Sequence, residues 1–341
     1  MGARKMRVVF LNIYQGQVQR GAETFVRELS ERLKRNHEIV VMSGNKIPPK
    51  RWPFVWHFFV DPNGLYILWF TLKTLPLLWK EKFDIVIPLN GGWQSTFVRI
   101  VTWLYGGKVI ISGQSGMGWD DRHNLWSFPN VFVAISSFAG DWAKKANPLV
   151  RVQYIPNGVD LQKFSPSGRK FSTQLKHPIV LCVAALTVGK RVDLAIKATA
   201  AFGNASILVV GDGPLREKIH KLGMKLLGEQ FQLIKMSYEE LPTAYRVADV
   251  FTIPSESYHS FEIVLVEAMA TNLPVVANND LIREEIVGDA GILVNPTDTN
   301  AYAAALKKAL NAKQGDKPRR QAEKFSWDKI AKQYEELFKK L

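Results

Sequence analysis

The sequence is short of several features that would assign it to a common class. It has a single cysteine, Cys182, inside the apolar run IVLCVAAL. That excludes a disulfide framework and fits a reducing, cytoplasmic setting. No apolar run reaches spanning length: the longest, residues 65–79, carries Lys73 and Pro76 and is too short for a bilayer. The G-x-G-x-x-G dinucleotide fingerprint is missing after the first strand pattern. Nothing has metal-ligand spacing, so no metal is expected. No short-period repeat is visible, and no nucleic-acid motif appears among the scattered bases, so nucleic acid is not expected as a partner. The opening MGARKMRVVFLNIY has too short an apolar run for a signal peptide, and Met6 stands where an acylation signal wants Ser or Thr.

What the chain does have is positive charge and aromatic rings. The formal net charge is +14 over 341 residues, and residues 1–158 hold 20 Lys and Arg against 10 Asp and Glu, which is +10 of it. A basic first half points to an anionic partner, a membrane surface or a phosphate-bearing substrate, with a merely basic solvated surface as the alternative. Residues 50–82 place Trp52, Trp56, Trp69 and Trp79 beside Phe54, Phe58, Phe59 and Phe70, with Lys and Arg at both ends. Aromatics beside bases suit a peripheral contact with an anionic membrane, at the inner face of the cell membrane if the protein is cytoplasmic. Ordinary helix packing between strands is the other reading of this stretch.

Read in order, apolar runs of strand length alternate with helical patterns, as doubly wound α/β folds require. Residues 6–13, 38–43, 83–89, 108–112, 131–135 and 152–156 read as strands, and Ser136 reads as a helix cap. A glycine-rich loop, 113–118, follows the fourth of these strands and should border a site. The polar segment 165–176 reads as a linker. A second series then begins, with strands expected near 179–186, 206–210, 231–234, 251–253, 274–277, 282–286 and 291–294, and with a last helix from Ser326. The expected architecture is two Rossmann-like, doubly wound parallel-sheet domains, 1–164 and 165–325, facing a cleft. Residues 326–341 read as a C-terminal helix. The site is expected between the two domains.

The most informative stretch is FTIPSESYHSFEIVLVEAMATNLP, residues 251–274. A strand ends at Pro254, a polar loop follows, and a helix opens near Phe261. A helix start presents free N–H groups and a positive dipole end to an anion. Glu267, one to two turns in, places a carboxylate behind that terminus, where it suits the diol of a nucleotide. A crossover helix carrying a surface Glu has the same spacing.

Taken together, the pieces resemble the retaining GT-B glycosyltransferases of glycosyltransferase family 4, the glycosyl transferases group 1. Those pieces are Gly21-Ala22-Glu23, Ala134-Ile135-Ser136, Ile155-Pro156-Asn157-Gly158-Val159-Asp160, Lys190-Arg191-Val192-Asp193-Leu194 and Val210-Gly211-Asp212-Gly213-Pro214. They continue with Ala248-Asp249-Val250, Val266-Glu267-Ala268-Met269-Ala270, Leu273-Pro274-Val275-Val276-Ala277 and Gly291-Ile292-Leu293-Val294. The resemblance implies a retaining, metal-independent hexosyl transfer from a UDP- or GDP-linked sugar to a lipid-linked or glycan acceptor, with no cofactor. It implies that Glu267 binds the ribose hydroxyls and that Lys190, aided by Arg191, neutralises the diphosphate. The amides of Ile263 and Val264 meet the β-phosphate, and the turn at Gly21 and Ala22 approaches the donor or acceptor. The same resemblance implies that the helix of residues 326–341 packs back on the first domain.

The sequence also departs from the family pattern. His259 stands where the first acid of the E-x7-E motif belongs, and Glu262 stands where a glycine belongs. Ala185 replaces an arginine, and Gln114 and Ser115, on the acceptor side, occupy a loop that elsewhere carries a histidine. Three readings follow. His259 reads an unusual sugar as a catalytic contact; or Glu256 or Glu262 does the missing acid's work; or the chain is a nucleotide-sugar-binding partner subunit with little or no transfer activity. A hydrolysing epimerase, for which the first domain offers only Asp120, Asp121 and His123, is the remaining alternative.

Overall fold

The computed structural model describes residues 4–18, 20–47, 49–257, 261–312 and 314–341. The chain forms two compact units: unit 1 is Met1–Asn157 with Trp327–Leu341, and unit 2 is Gly158–Ser326.

Unit 1 is built on six parallel strands: β1 (Arg7–Leu11), β2 (Glu38–Met42), β3 (Ile85–Pro88), β4 (Lys108–Ser112), β5 (Val131–Ala134) and β6 (Val152–Tyr154). Their order across the sheet is β2-β1-β3-β4-β5-β6. Strands β3 and β5 are buried along their whole length, because helices cover both faces of a parallel sheet. The helices are α1 (Gly21–Leu33), α2 (Pro62–Glu81), α3 (Trp93–Tyr105), α4 (Trp119–Trp126) and α5 (Ser137–Ala146). Helix α2 opens where Asp61 accepts from the Gly64 N–H at 3.2 Å and Pro62 fills the first position, which has no need of its N–H. Ser136 caps α5 by accepting from the Ala139 N–H at 3.1 Å.

Unit 2 repeats the scheme with β7 (Ile179–Val183), β8 (Ser206–Val210), β9 (Phe231–Ile234), β10 (Val250–Ile253), β11 (Val275–Asn278) and β12 (Gly291–Val294), in the order β12-β11-β10-β7-β8-β9. Its helices are α6 (Val192–Phe202), α7 (Arg216–Leu227), α8 (Leu241–Val247), α9 (Ile263–Ala270), α10 (Leu281–Val287), α11 (Thr299–Asn311) and α12 (Lys317–Ala322). The chain then re-enters unit 1 as α13 (Trp327–Lys339), whose Trp327 and Tyr334 rings lie 6.2 and 6.0 Å from Phe25 of α1.

One element differs in kind from its sequence reading. Residues 282–286, expected in the sheet, are the middle of α10. Asp280 decides this locally, accepting from the N–H groups of Ile282 at 3.1 Å and Arg283 at 3.0 Å, and Gly288, at φ 54°, ends the helix.

In an open parallel sheet, ligands bind beyond the carboxyl ends of the strands where the winding direction reverses. That point lies between β1 and β3 in unit 1, and between β7 and β10 in unit 2.

Candidate functional site

In unit 2 the two loops at the reversal are residues 184–191, after β7, and the stretch between β10 and α9. The first passes through a short 3-10 turn, Val188–Lys190, and leaves Arg191 left-handed at φ 47°. The second enters α9 through Glu262, also left-handed, at φ 45°. A backbone hydrogen bond from the Glu256 N–H to the Gly189 carbonyl, 2.9 Å, ties one loop to the other.

Charged side chains occupy the space this creates. The Lys190 ammonium donates to Glu262 Oε1 at 2.7 Å, and Arg283 Nη2 donates to the same oxygen at 3.1 Å. Arg283 is wholly buried and the Glu262 side chain is 6% exposed, while Lys190 retains 19%. Arg283 also donates to Ser255 Oγ at 3.0 Å and lies 3.4 Å from Asp280. Burial alone would raise the Glu262 carboxyl, but Lys190 and Arg283 more than offset it and hold the group below the usual carboxylate range. This acid is therefore ionised at neutral pH.

Arg191 is used differently. Its guanidinium donates to the Pro254 carbonyl at 2.7 Å, the Ser255 carbonyl at 3.1 Å and Asn278 Oδ1 at 3.4 Å. It fixes the loop after β10 rather than standing open to a ligand. Ile263 and Val264 are the first two residues of α9, where N–H groups have no partner within the helix. Glu267 lies one turn further on, is 3% exposed, and its Oε2 accepts from the buried Tyr245 hydroxyl at 2.7 Å. Burial and the Glu267 charge push the Tyr245 phenol well above its ordinary value, so it remains a donor. His259 lies outside the described residues. Ala185, after β7, is exposed.

The structure thus brings Lys190, Arg191, Glu262, Ile263, Val264 and Glu267 into one region of unit 2. Gly21, Ala22, Gln114 and Ser115 belong to unit 1. Gly21 and Ala22 are the first two residues of α1. Gln114 and Asn157 form a reciprocal amide pair at 3.0 and 2.9 Å, and Gln114 also donates to Ser112 Oγ at 2.9 Å. Ser115 follows in the loop.

The reversal in unit 1 is lined with neutral amides. Asn90 Oδ1 accepts from the Ile13 N–H at 2.9 Å, Asn90 donates to Asn12 Oδ1 at 3.3 Å, and Gln94 Oε1 accepts from the Asn90 N–H at 3.0 Å. Asn12 also donates to Glu23 at 3.3 Å; burial raises the Glu23 carboxyl, against the pull of Asn12 and Arg20. Elsewhere in unit 1, Asp120 pairs with Arg51 at 3.0 Å. Asp121 accepts from Asn124 at 3.1 Å and is pushed up to about 8, mainly by burial. Desolvation lowers His123. Among the described residues no three His, Cys, Asp or Glu side chains are grouped to hold a metal ion.

Sequence reasoning missed Arg283, Ser255, Tyr245 and the Asn12–Asn90 pair. Arg283 was within reach: on a helix it shares a face with the apolar Val287, an odd place for a base without a buried acid. Tyr245 carried no such sign.

Comparison with known proteins bears on this geometry. The chain is 31% identical over 189 residues to a sulfoquinovosyl transferase of Arabidopsis thaliana, covering 50% of this chain and 36% of that one. It is 36% identical over 186 residues to a phosphatidyl-myo-inositol mannosyltransferase of Mycolicibacterium smegmatis, covering 51% and 46%. The chain therefore spans less than half the length of these two relatives. A glycosyltransferase structure from Rickettsia africae superposes with a TM-score of 0.77 at 18% identity, over 99% of both chains. An Anabaena protein in complex with UDP and glucose superposes with a TM-score of 0.76 at 16% identity, over 98% of this chain and 100% of that one. At these identities the structures speak for the fold alone. Residues 19–163 match the family model "Glycosyltransferase Family 4" and residues 167–326 match "Glycosyl transferases group 1". With two Rossmann-like units and both halves matched in order, the chain belongs to glycosyltransferase family 4 of the GT-B fold.

Proposed function

We propose that the chain transfers a sugar, with retention, from a UDP- or GDP-linked donor to a lipid-linked or glycan acceptor. One observation carries the reading: Lys190, the start of α9 and Glu267 converge at the reversal point of the unit 2 sheet. A diphosphate placed there meets one ammonium and the amides of Ile263 and Val264, an arrangement that favours anions. A carboxylate can accept both hydroxyls of a ribose diol, and Tyr245 fixes the orientation of Glu267 from behind.

In the proposed reaction the bond from the anomeric carbon to the diphosphate breaks. The acceptor oxygen bonds to that carbon on the same face, and its proton passes to the departing phosphate. Negative charge grows on the leaving group, where the cation and amides of unit 2 stabilise it, and no metal ion is invoked. His259, by its place in the motif, is assigned to the transferred sugar. Gly21 and Ala22 are assigned to the donor diphosphate or the acceptor that meets it, and Gln114 and Ser115 to the acceptor side.

Support for a lipid-linked acceptor comes from the surface of unit 1. Trp52, Phe54, Phe58, Trp69, Trp103 and Trp126 are between 45% and 85% exposed. Lys50, Arg51, Lys73, Lys80 and Lys82 lie among them in sequence, and the Lys73 ammonium sits 3.7 Å from the Trp69 ring centre. Among the described residues no helix is long and apolar enough to cross a membrane. The proposed partner is an anionic bilayer contacted from one side, at the inner face of the cell membrane.

The test is a thermal-shift and turnover panel with UDP, GDP and their sugar conjugates, run beside Glu267→Ala. A ligand at about 100 times its Kd stabilises the fold by roughly 2.7 kcal/mol. Stabilisation of the wild type and not of the variant is the expected result; no stabilisation by any nucleotide removes the donor reading. A partner subunit without transfer activity is the second reading, favoured by the acid that sits on Lys190, and binding without turnover selects it. Flotation with anionic liposomes at two salt concentrations tests the membrane contact, and absence of binding at both rejects it.

A further inference from the structure

The charge arrangement around Glu262 carries an inference that rests on the donor reading and sharpens it. Lys190, the cation assigned to the donor diphosphate, already has an anion: its ammonium lies 2.7 Å from Glu262 Oε1. The two cations on that oxygen are not equivalent. Arg283 is wholly buried, Ser255 accepts from it at 3.0 Å, and Asp280, itself fixed as the cap of α10, lies 3.4 Å away. Lys190 is partly exposed, sits on a flexible four-carbon stem, and has Glu262 as its acceptor among the described residues.

We propose that Glu262 stands in for the donor phosphate in the unliganded protein, and that donor binding moves Lys190 from this carboxylate to the diphosphate. Arg283 is what makes the exchange feasible. When Lys190 leaves, Glu262 keeps a buried cation, so no uncompensated charge is stranded in the interior. Glu262 and Arg283 are positioning residues in this scheme: they set donor affinity through Lys190 and need not touch the donor. Glu262 enters α9 in a left-handed conformation, φ 45°, and both ion pairs are made from that position. The exchange also places a cost on anions too weak to displace a carboxylate, so the site favours a diphosphate, with two or more negative charges in all, over singly charged ligands.

The test measures the affinity of the full chain for UDP and GDP, with uridine and guanosine as phosphate-free controls. Glu262→Gln keeps the side-chain shape and removes the competing charge. It is expected to tighten the diphosphate by about tenfold, a change of about 1.4 kcal/mol, and to leave the nucleoside unchanged. In a Lys190→Ala background the same substitution is expected to give no gain. If the wild type binds a diphosphate and Glu262→Gln binds it equally or more weakly, the exchange is overturned while the donor reading stands. If neither form binds any nucleoside diphosphate, the donor reading fails and the exchange fails with it. A structure of the wild type with UDP or GDP bound does not depend on the variant folding. Lys190 Nζ within hydrogen-bond distance of a phosphate oxygen and clear of Glu262 supports the proposal; a retained Lys190–Glu262 contact sinks it.

Discussion

The two units share an architecture and differ in what they expose. Each has six parallel strands with one reversal of winding. Of the large apolar side chains that stand exposed among the described residues, 20 belong to unit 1 and four, Val188, Met224, Leu226 and Leu281, to unit 2. At the reversal points the contrast is in charge. Unit 1 holds largely buried neutral amides, Asn12, Asn90 and Gln94, whereas unit 2 holds the partly exposed Lys190 over the buried Glu262 and Arg283. A common fold therefore carries two different surfaces, and the difference lies in loops and outer helix faces rather than in the sheets. A neutral amide network suits hydroxyl-bearing ligands, and a charged one suits phosphates.

The comparison can be pressed at several points. Trp327→Ala removes a wholly buried ring that packs on Phe25, and is expected to cost about 3–5 kcal/mol in denaturant unfolding. Lys190→Ala attacks the charged reversal point and should lower kcat by about 10²–10³-fold on a nucleotide sugar, the scale seen when one preorganised charge-stabilising group is lost. An unchanged rate would place the diphosphate elsewhere.

Asp121 is a third point, and its effect depends on pH. Its folded value, about 8, stands above an unfolded value of about 3.9. The folded state therefore holds a proton that the unfolded state has lost, so stability from this group is complete below about pH 4 and is lost as pH rises towards 8. Asp121→Asn, which cannot ionise, should gain on the wild type steadily across that window in thermal unfolding. A constant difference from pH 4 to pH 8 would show that the carboxyl ionises freely in the fold.

Smaller effects test the neutral side of the comparison. Asn12→Ala leaves the Tyr14 N–H, which donates to Asn12 Oδ1 at 3.1 Å, without that partner and should cost about 1–3 kcal/mol. Trp103→Ser, on an exposed ring of α3, should change stability by no more than about 0.5 kcal/mol while weakening liposome flotation. Stability loss there would mean that the ring packs on the protein rather than facing a membrane.

Much of this was readable before any coordinates. Apolar runs such as residues 131–135 and 206–210 can only be buried parallel strands when helical patterns separate them, so the α/β class and two Rossmann-like units followed from spacing. The loop–helix junction before α9 was legible too, because Pro254 ends a strand and an apolar helical pattern follows, although spacing alone left Glu267 open to being a surface residue of a crossover helix. Residues 282–286 were misread because Ile282 and Ile286 bracket a short run with no visible breaker, and Asp280 was not weighed as a cap. The pairing of Glu262 with Arg283 lay beyond sequence reading for a different reason. The partners are 21 residues apart on separate elements, and only the sheet order brings their loops together. Nor does spacing show that Arg191 turns its guanidinium to the backbone, since that depends on its own left-handed conformation.

The return of the chain to unit 1 bears on the order in which the protein is made. Unit 2 is an insertion: its ends meet in a bridge between Val159 and Ser326, with the Val159 N–H donating to the Phe325 carbonyl at 2.8 Å. On the ribosome, residues 158–326 emerge before α13, so unit 2 has all its strands while unit 1 still lacks a helix. Until Trp327 and Tyr334 arrive, Phe25 lacks two of the rings that cover it and keeps its contact with Phe10. Unit 1 therefore cannot complete its packing until residues 327–341 have been made, after every strand of both units.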